Sequence, residues 1–320
     1  IFALDLAHTL GLNAASLLAE PHRHAYGQHI RTLLQEAVEQ ASDGLPQELE
    51  GRRQNGEHFP LELALSRISH RGEQKLIAVV RDITERKRVE RMQSEFVSTV
   101  SHELRTPLTS IAGALGLING GALGAVPESM AAMLGIAQQN SQRLSLLIND
   151  LLDMEKLNAG HMRFDLQACA LRPLLEQALQ ANQAYADEYR VHWQLLAVPE
   201  SANVLVDAQR FLQVMANLLS NAAKHSPANS AVEIHCQVSG QQLRIEVRDY
   251  GSGIPEAFRT RIFSKFAQAD SSDRRQLGGT GLGLAISREL VERMHGQIGF
   301  NCEQGHGTCF WFSLPMASPP

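Results

Sequence analysis

The chain has 320 residues, of which 44% are hydrophobic and 20% charged, a composition typical of folded globular protein. At roughly 100–200 residues per domain, this length predicts two or three domains. Lys and Arg number 29 against 34 Asp and Glu, a net charge of -5, which argues against a nucleic-acid partner. The four cysteines stand outside any zinc or redox spacing, which predicts free thiols in a reducing compartment.

The start of the sequence and its most apolar stretch bear on membrane attachment. Ile1 is not a methionine and no signal peptide is visible, so we expect a chain cut from a longer protein. Residues 111–126 form the most apolar run, but they include Asn119 and fall short of the roughly 20 apolar residues of a span. We therefore predict a cytoplasmic chain with no membrane segment of its own, any anchor lying before Ile1.

The first region, 1–83, has a mixed α and β pattern. Residues 28–40 favour a helix. Residues 61–66 alternate apolar and polar side chains, which predicts a half-buried strand, and 76–80 predict a second strand after a turn at 71–73. The region therefore reads as a small mixed domain.

Two long helices are predicted over 96–158, after a charged helical connector at 84–95. A glycine-rich bend at 119–127 separates them. Two antiparallel helices bury too little apolar surface alone, so a dimeric four-helix bundle is the expected solution. The second helix keeps a heptad-like seam of Leu144, Leu147, Ile148, Leu151 and Met154.

The last region, 161–320, interleaves strand and helix patterns, which predicts an α/β sandwich. Strands are predicted over 232–238, 243–248 and 308–312, and helices over 207–225 and 283–295.

His102 is predicted to face away from the apolar stripe of the first long helix. At 100° per residue from Phe96, the stripe centres near 70° and His102 lies near 240°. Thr106 shares the face of His102, and Glu103 lies at the flank of the stripe. The stripe consists of Phe96, Val97, Val100, Leu104, Leu108, Ile111 and Leu115.

Two interpretations of His102 stand side by side: a solvated surface histidine or a nucleophile. Pro107 lies inside the helical pattern, where proline costs about 3 kcal/mol and bends the helix. A bend beside an exposed imidazole with an adjacent carboxylate favours the nucleophile. A neutral imidazole nitrogen can attack phosphorus, and Glu103 could orient the ring and accept its proton.

The predicted helix at 207–225 carries a polar face. Arg210, Asn217, Asn221 and Lys224 cluster on it, away from the apolar set. Amides at i and i+4, with a lysine nearby, can hold a hard cation and phosphate oxygens. The alternative is an ordinary solvated helix face.

A carboxylate at a strand end comes next. Asp249 is followed by Gly251 and Gly253, so it can accept a base amino group while the backbone approaches closely. Phe263 and Phe266 follow in a helix-like segment and would anchor a mobile loop to the core.

A glycine-rich run at 278–284 opens a helix, where backbone N–H groups and the helix dipole favour phosphate. It is not a P-loop, because no Lys-Ser/Thr pair follows, and the polar 271–276 before it is no Rossmann strand. A long polar loop of this kind favours a lid.

Five motifs together resemble the sensor histidine kinases of two-component systems, in the order that this family has them. Residues 101–108 are similar to the H-box, 217–224 to the N-box, 249–253 to the G1 box, 263–266 to the F-box and 279–284 to the G2 box. The resemblance implies a multidomain α+β fold, in which a two-helix hairpin of the HisKA type forms a dimeric four-helix bundle. A GHKL-type α/β sandwich would bind ATP.

Residues 45–88 resemble the C-terminal part of a PAS sensor domain and its exit linker. Some PAS domains bind haem through a histidine, and that position falls here on Tyr26, with His22, His24 and His29 nearby but out of register. Haem is not expected, because a histidine-rich exposed helix is usually solvated.

The family's roles transfer only to matching positions. His102 would be the phosphoacceptor, Glu103 the general base, and Thr106 the residue that positions water for phosphatase activity on the regulator. Asn221 would be the main magnesium ligand, and Asp249 would bind the adenine amino group. The implied nucleotide-binding residues are Asn217, Asn221, Lys224, His225, Asp249, Gly251, Gly253, Gly279, Thr280, Gly281, Leu282 and Gly283; His225 stands where the family often has Tyr or Phe.

The resemblance thus implies an ATP- and Mg²⁺-dependent homodimer that phosphorylates His102 and passes the phosphoryl group to an aspartate of a response regulator. The expected domains are a partial PAS domain at 1–83, a linker at 84–95, a dimerisation and phosphotransfer domain at 96–160 and a catalytic domain at 161–320. Two other readings are an ATPase of the same superfold without histidine transfer, and a degenerate scaffold that only binds a ligand or partner.

Overall fold

The structure is a computed structural model, and it separates into two compact units, Ile1–Phe96 and Val97–Pro320. None of the described helices combines the length and apolar run that a bilayer crossing needs. The residues that the structure describes are 1–2, 11–20, 23–24, 46–70, 73–122, 124, 126–199, 202–268, 280–302 and 307–317.

The first unit contains a three-stranded antiparallel meander, β1 (Gln47–Arg52), β2 (His58–His70) and β3 (Glu73–Asp82). The predicted strands at 61–66 and 76–80 lie within β2 and β3. Alternate residues of β2 are buried because one face of the sheet covers a small core. This core consists of Leu18, Phe59, Leu61, Leu63 and Leu65.

Several expectations for the first unit fall outside the described residues. These are the helix at 28–40, the turn residues Arg71 and Gly72, and the positions His22, Tyr26 and His29. His24 is described and is exposed.

The connector at 84–95 and the first long helix form one helix, α1 (Thr84–Asn119). The Asp82 carboxylate accepts hydrogen bonds from the Thr84 N–H at 3.0 Å and the Thr84 hydroxyl at 2.6 Å just where α1 begins. The helix continues through Pro107.

The second helix of the hairpin is α2 (Glu128–Asn158), and it runs antiparallel to α1. Side-chain hydrogen bonds pair Arg105 with Asn149 and Asn119 with Gln138, so positions rise along one helix as they fall along the other. Of the predicted seam, Ile148 and Met154 are buried, Leu147 and Leu151 half-buried and Leu144 exposed. Of the predicted α1 stripe, Leu108 is buried, whereas Phe96, Val100, Leu104 and Ile111 are exposed.

The remainder of the second unit is a two-layer α/β sandwich, as predicted. Its elements are β4 (Gln167–Ala170), α3 (Leu171–Ala181), α4 (Gln183–Tyr189), β5 (His192–Leu195), β6 (Asn203–Val206), α5 (Ala208–His225), β7 (Ala231–Ser239), β8 (Gln242–Asp249), α6 (Glu256–Arg259), α7 (Gly283–Arg293), β9 (Gln297–Cys302) and β10 (Thr308–Pro315). A five-stranded sheet has the order β5-β7-β8-β10-β9, and β4 pairs with β6. β5 and β7 are parallel, and the other neighbours in the large sheet are antiparallel.

The core of the sandwich lies between the sheet and the helices. Alternate residues of β7 and β8 are buried, and the apolar face of α5 packs on them. Asp207 caps α5, since its Oδ1 accepts from the N–H groups of Gln209 and Arg210 at 3.0 and 3.2 Å. The cap and the apolar period explain why this helix begins one residue after the predicted start.

The helix predicted at 283–295 is confirmed as α7, but it ends two residues earlier, at Arg293, because His295 takes a left-handed φ of 60° and the chain turns into β9. One local expectation was wrong: Phe263 and Phe266 lie in turns rather than in a helix, since α6 ends at Arg259.

Candidate functional site

His102 lies on α1 with 75% of its side chain exposed. Its Nδ1 is 3.7 Å from Oε1 of Glu103, the adjacent carboxylate. Thr106 is exposed one turn later. Pro107 has no N–H, so the carbonyl of Glu103 loses the helical hydrogen-bond partner that it would otherwise have. The imidazole is therefore open to a reactant while a carboxylate lies beside one of its nitrogens.

The backbone that carries His102 is fixed by contacts across the hairpin. Arg105 donates to Asn149 Oδ1 at 2.9 Å, and the buried Ser141 hydroxyl lies 3.5 Å from the Leu108 carbonyl. Leu108, Ile148 and Leu152 form a small buried cluster between the two helices. His102 is thus presented on a helix that α2 holds in register.

Asn217 joins α5 to α7. Its Nδ2 donates to the Gly283 carbonyl at 3.1 Å and to the Ser287 hydroxyl at 3.1 Å. A Cβ on Gly283 would lie 3.3 Å from Asn217 Oδ1, so the two helices approach closely here. Asn221, one turn further along α5, is half-buried. The two amides predicted from the sequence therefore share a helix face, and Asn217 also ties the two helices together.

Lys224 and His225 end the polar face of α5. Burial lowers the pKa of the Lys224 ammonium, which the Glu188 carboxylate opposes. His225 is exposed, and its carbonyl lies so close to Gly251 that a Cβ there would be 2.1 Å from the carbonyl oxygen. Only glycine fits at this position.

Asp249 ends β8 with 3% of its surface exposed. Its Oδ1 accepts from the Gly251 N–H at 2.9 Å and from the Thr308 N–H at 3.2 Å. Burial raises the pKa of this carboxyl, and the two backbone hydrogen bonds oppose the rise. The loop continues through Gly253, which takes a left-handed φ of 72°.

Thr280 and the glycines after it lead into α7. The Thr280 hydroxyl donates to Asp150 Oδ2 at 2.7 Å and accepts from the Leu282 N–H at 3.1 Å. Gly281 has a left-handed φ of 70°, and a Cβ on it would lie 3.0 Å from the backbone of Phe266. Gly279 lies outside the described residues.

The two phenylalanines of the predicted anchor differ. The Phe263 ring packs 6.2 Å from the Phe300 ring and joins the core. Phe266 is 64% exposed, and its backbone takes a left-handed φ of 59°. Phe263 is therefore the anchor, whereas Phe266 contributes backbone against Gly281.

Two carboxylates on α2 that no sequence pattern singled out contact the sandwich. Asp150 accepts from Thr280, and Asp153 Oδ2 accepts from Gln213 Nε2 at 2.7 Å. Burial raises the pKa of Asp150, opposed by the Thr280 hydrogen bond. The signal available was two carboxylates three residues apart beside an apolar seam. Their partners are 130 and 60 residues away along the chain, which no local pattern reveals.

Two protein families match this chain in the same order as the site. Residues 92–160 match the His Kinase A (phospho-acceptor) domain. Residues 206–318 match the histidine kinase-, DNA gyrase B-, and HSP90-like ATPase. The first match contains His102, and the second contains Asn221 and Asp249.

Individual relatives agree with these matches. The alginate biosynthesis sensor protein KinB of Pseudomonas aeruginosa is 34% identical over 82% of this chain and 44% of its own length. The sensor protein kinase WalK of Staphylococcus saprophyticus is 34% identical over 75% of this chain and 39% of its own length. The chain thus spans less than half the length of these two relatives.

Among solved structures, full-length ShkA in complex with AMPPNP is similar, with a TM-score of 0.57 and 29% identity over 70% of this chain and 46% of that one. A hairpin that presents His102, followed by a sandwich that carries the amide, carboxylate and glycine positions, matches both families. The chain therefore belongs to the sensor histidine kinases.

Proposed function

We propose that this chain autophosphorylates on His102 with ATP and passes the phosphoryl group to an aspartate of a response regulator. The observation that carries the proposal is the exposed His102 beside Glu103 on a hairpin, in one chain with a sandwich of the ATPase family. A homodimer follows from the apolar residues of α1 that the single chain leaves exposed.

The adenine end of the nucleotide would lie at Asp249. Because Oδ1 is engaged by two backbone N–H groups, Oδ2 is the oxygen that can accept from the adenine amino group. Gly251 lets the loop pass close to the His225 carbonyl, and the exposed His225 ring would stack on the base. This arrangement would select a purine with an amino group.

The phosphate end would lie along α5 and the start of α7. The carboxamide oxygen of Asn221 suits Mg²⁺, which prefers oxygen ligands, and Asn217 adjoins it. Mg²⁺ would neutralise phosphate charge as the γ-phosphoryl group leaves. Lys224 adds a cation to phosphate oxygens, and the backbone from Thr280 to Gly283 lines the other side.

Phosphoryl transfer would use Nε2 of His102. Glu103 faces Nδ1, so it can accept the Nδ1 proton in a hydrogen bond and leave the lone pair on Nε2. Nε2 bonds to the γ-phosphorus, the bond from that phosphorus to the bridging oxygen breaks, and ADP leaves with those electrons. Glu103 stabilises the proton on Nδ1 as the ring becomes cationic. Thr106, one turn away, would position a water molecule that attacks the aspartyl phosphate of the regulator and releases inorganic phosphate.

The domain boundaries are part of the proposal. A partial PAS domain at 1–83 is supported by the β1-β2-β3 meander, and a linker at 84–95 by the unbroken start of α1. The phosphotransfer domain at 96–160 and the catalytic domain at 161–320 are supported by the family matches to 92–160 and 206–318.

Labelling tests the proposal. The protein is incubated with γ-labelled ATP and Mg²⁺, and wild type is compared with His102→Gln and with His161→Gln, an exposed histidine outside α1. We expect acid-labile, alkali-stable label in wild type and His161→Gln, and none in His102→Gln. Nucleotide turnover without protein label would indicate a plain ATPase, and absence of nucleotide binding would indicate a scaffold.

A further inference from the structure

Cys302 ends β9 in the same cross-strand row as the adenine carboxylate. Thr308 of β10 lies opposite Cys302 on one side and opposite Asp249 on the other. Directly opposed residues have Cα atoms about 4.5–5.5 Å apart. A thiol that no part of the proposed chemistry uses therefore lies two strands from the carboxylate that would bind the base.

The thiol of Cys302 contacts the loop that follows Asp249. The backbone N–H of Ile254 donates to Cys302 Sγ at 3.0 Å. Ile254 is buried, and a backbone donor in a buried segment requires an acceptor. Thiol sulfur is a weak acceptor, so this hydrogen bond satisfies a donor that would otherwise be left without one.

A closed set of hydrogen bonds surrounds this loop. At its start, the Gly251 N–H donates to Asp249 Oδ1 at 2.9 Å, and the Thr308 N–H donates to the same oxygen at 3.2 Å. At its end, Ile254 is bound to Cys302, whose Sγ lies 3.9 Å from the Thr308 hydroxyl. Both ends of the segment 251–254 are thus fixed to the same row of three residues.

We propose that Cys302 is a positioning residue for adenine binding, acting through the Ile254 N–H to hold the loop after Asp249 in the conformation that admits the base. The proposal rests on the proposed nucleotide-binding function. Without the sulfur acceptor, the far end of the loop keeps the hydrogen bond from Arg259 Nε to the Ile254 carbonyl at 3.2 Å but loses its attachment to β9. Gly251 and Asp249 then adopt the binding geometry for a smaller fraction of the time.

The test compares Cys302→Val with Cys302→Ser. Both keep a side chain of similar size, but only serine keeps an acceptor. Cys309, on the next strand and on the other face of it, supplies the control Cys309→Val. Affinities of the full chain for ATP and for ADP are measured by competition with a fluorescent nucleotide, and KM and kcat for ATP are taken from autophosphorylation.

We expect Cys302→Val to weaken ATP and ADP binding alike, by about threefold to tenfold, the usual net worth of one hydrogen bond. The effect should appear in KM and not in kcat, because the loop touches the base and not the reacting phosphate. Cys302→Ser and Cys309→Val should bind as wild type does. Amide hydrogen exchange at Ile254 should accelerate in the valine variant and not in the serine variant.

Three results would overturn the proposal: wild-type affinity in Cys302→Val, a loss in Cys302→Ser as large as in Cys302→Val, or a loss in Cys309→Val of the same size. The first means that the sulfur contact has no effect, and the other two mean that packing alone is responsible. If wild type itself binds no nucleotide, the proposed function fails, which is a distinct outcome.

Discussion

The helical hairpin and the α/β sandwich use apolar residues in opposite ways. In the sandwich, the apolar faces of the helices meet the sheet, and Phe211, Leu218 and Phe312 are fully buried. In the hairpin, the same kind of helical spacing leaves most of the α1 stripe exposed, with Ile111 51% exposed. Apolar periodicity therefore indicates a buried face, but it does not say whether the chain itself supplies the cover.

The first prediction concerns the buried core of the sandwich. Phe312→Ala should destabilise the sandwich by about 3–5 kcal/mol, because it removes a ring packed 5.8 Å from Phe211 and leaves a cavity. Ile111→Ala, on the exposed stripe, should leave the free energy of unfolding of the sandwich unchanged. Urea unfolding followed by tryptophan fluorescence reports on the sandwich, since both tryptophans, Trp193 and Trp311, lie in it. If both variants lost the same free energy of unfolding, the contrast between a buried and an exposed apolar face would be contradicted.

The second prediction concerns the exposed apolar stripe of α1 in the hairpin. Ile111→Glu places a charge on the stripe that we expect a second copy to cover, so it should weaken the dimer by about 100-fold or more. Thr109→Glu adds the same charge to the opposite face of α1 and should leave the dimer intact. Sedimentation across a concentration series measures both. A dimer of unchanged strength in Ile111→Glu would place the interface elsewhere.

The third prediction separates stability from binding at Asp249. Asp249→Asn should weaken ATP binding by about 10- to 100-fold, because an amide can present its N–H₂ donor where the adenine amino group needs an acceptor. The unliganded variant should nevertheless be more stable at pH 7. Burial raises the pKa of Asp249, so ionisation of this group at pH 7 destabilises the folded protein.

The direction of the pKa shift of Asp249 can be checked by measuring stability as a function of pH. As the pH falls through the raised pKa of Asp249, the carboxyl is protonated in the folded state and the cost of burying its charge disappears. The stability advantage of Asp249→Asn should therefore shrink on acidification. An advantage that grows as the pH falls would mean that the buried carboxylate is stabilised as an anion. Thermal unfolding from pH 7 to pH 5 measures it.

A feature can be predicted from the sequence when the residues that determine it lie close together along the chain. The helix that carries Asn217 and Asn221 was predicted to within a residue, because its apolar period is a local signal. The bonds of Asn217 to Gly283 and Ser287 span 66 and 70 residues and have no local trace. The motifs pointed to the proposed nucleotide-binding residues only through resemblance, whereas the contacts that hold those residues in place became visible only in the fold.

The last prediction concerns one of the hydrogen bonds that join the two regions, the bond between Thr280 and Asp150. In a double-mutant cycle, Asp150→Ala and Thr280→Val should show a coupling of about 0.5–1.5 kcal/mol, the net worth of one hydrogen bond. Asn158→Ala, further along α2 where it pairs with Lys265, should show no coupling to Thr280→Val. Urea unfolding of the four proteins of each cycle gives the coupling free energies. A coupling near zero at Asp150 would mean that α2 and the start of α7 are not held together by this pair in solution. A clear coupling would mean that a polar contact fixes the hairpin, although it leaves its apolar stripe open, to the start of α7, where the proposed phosphate site lies.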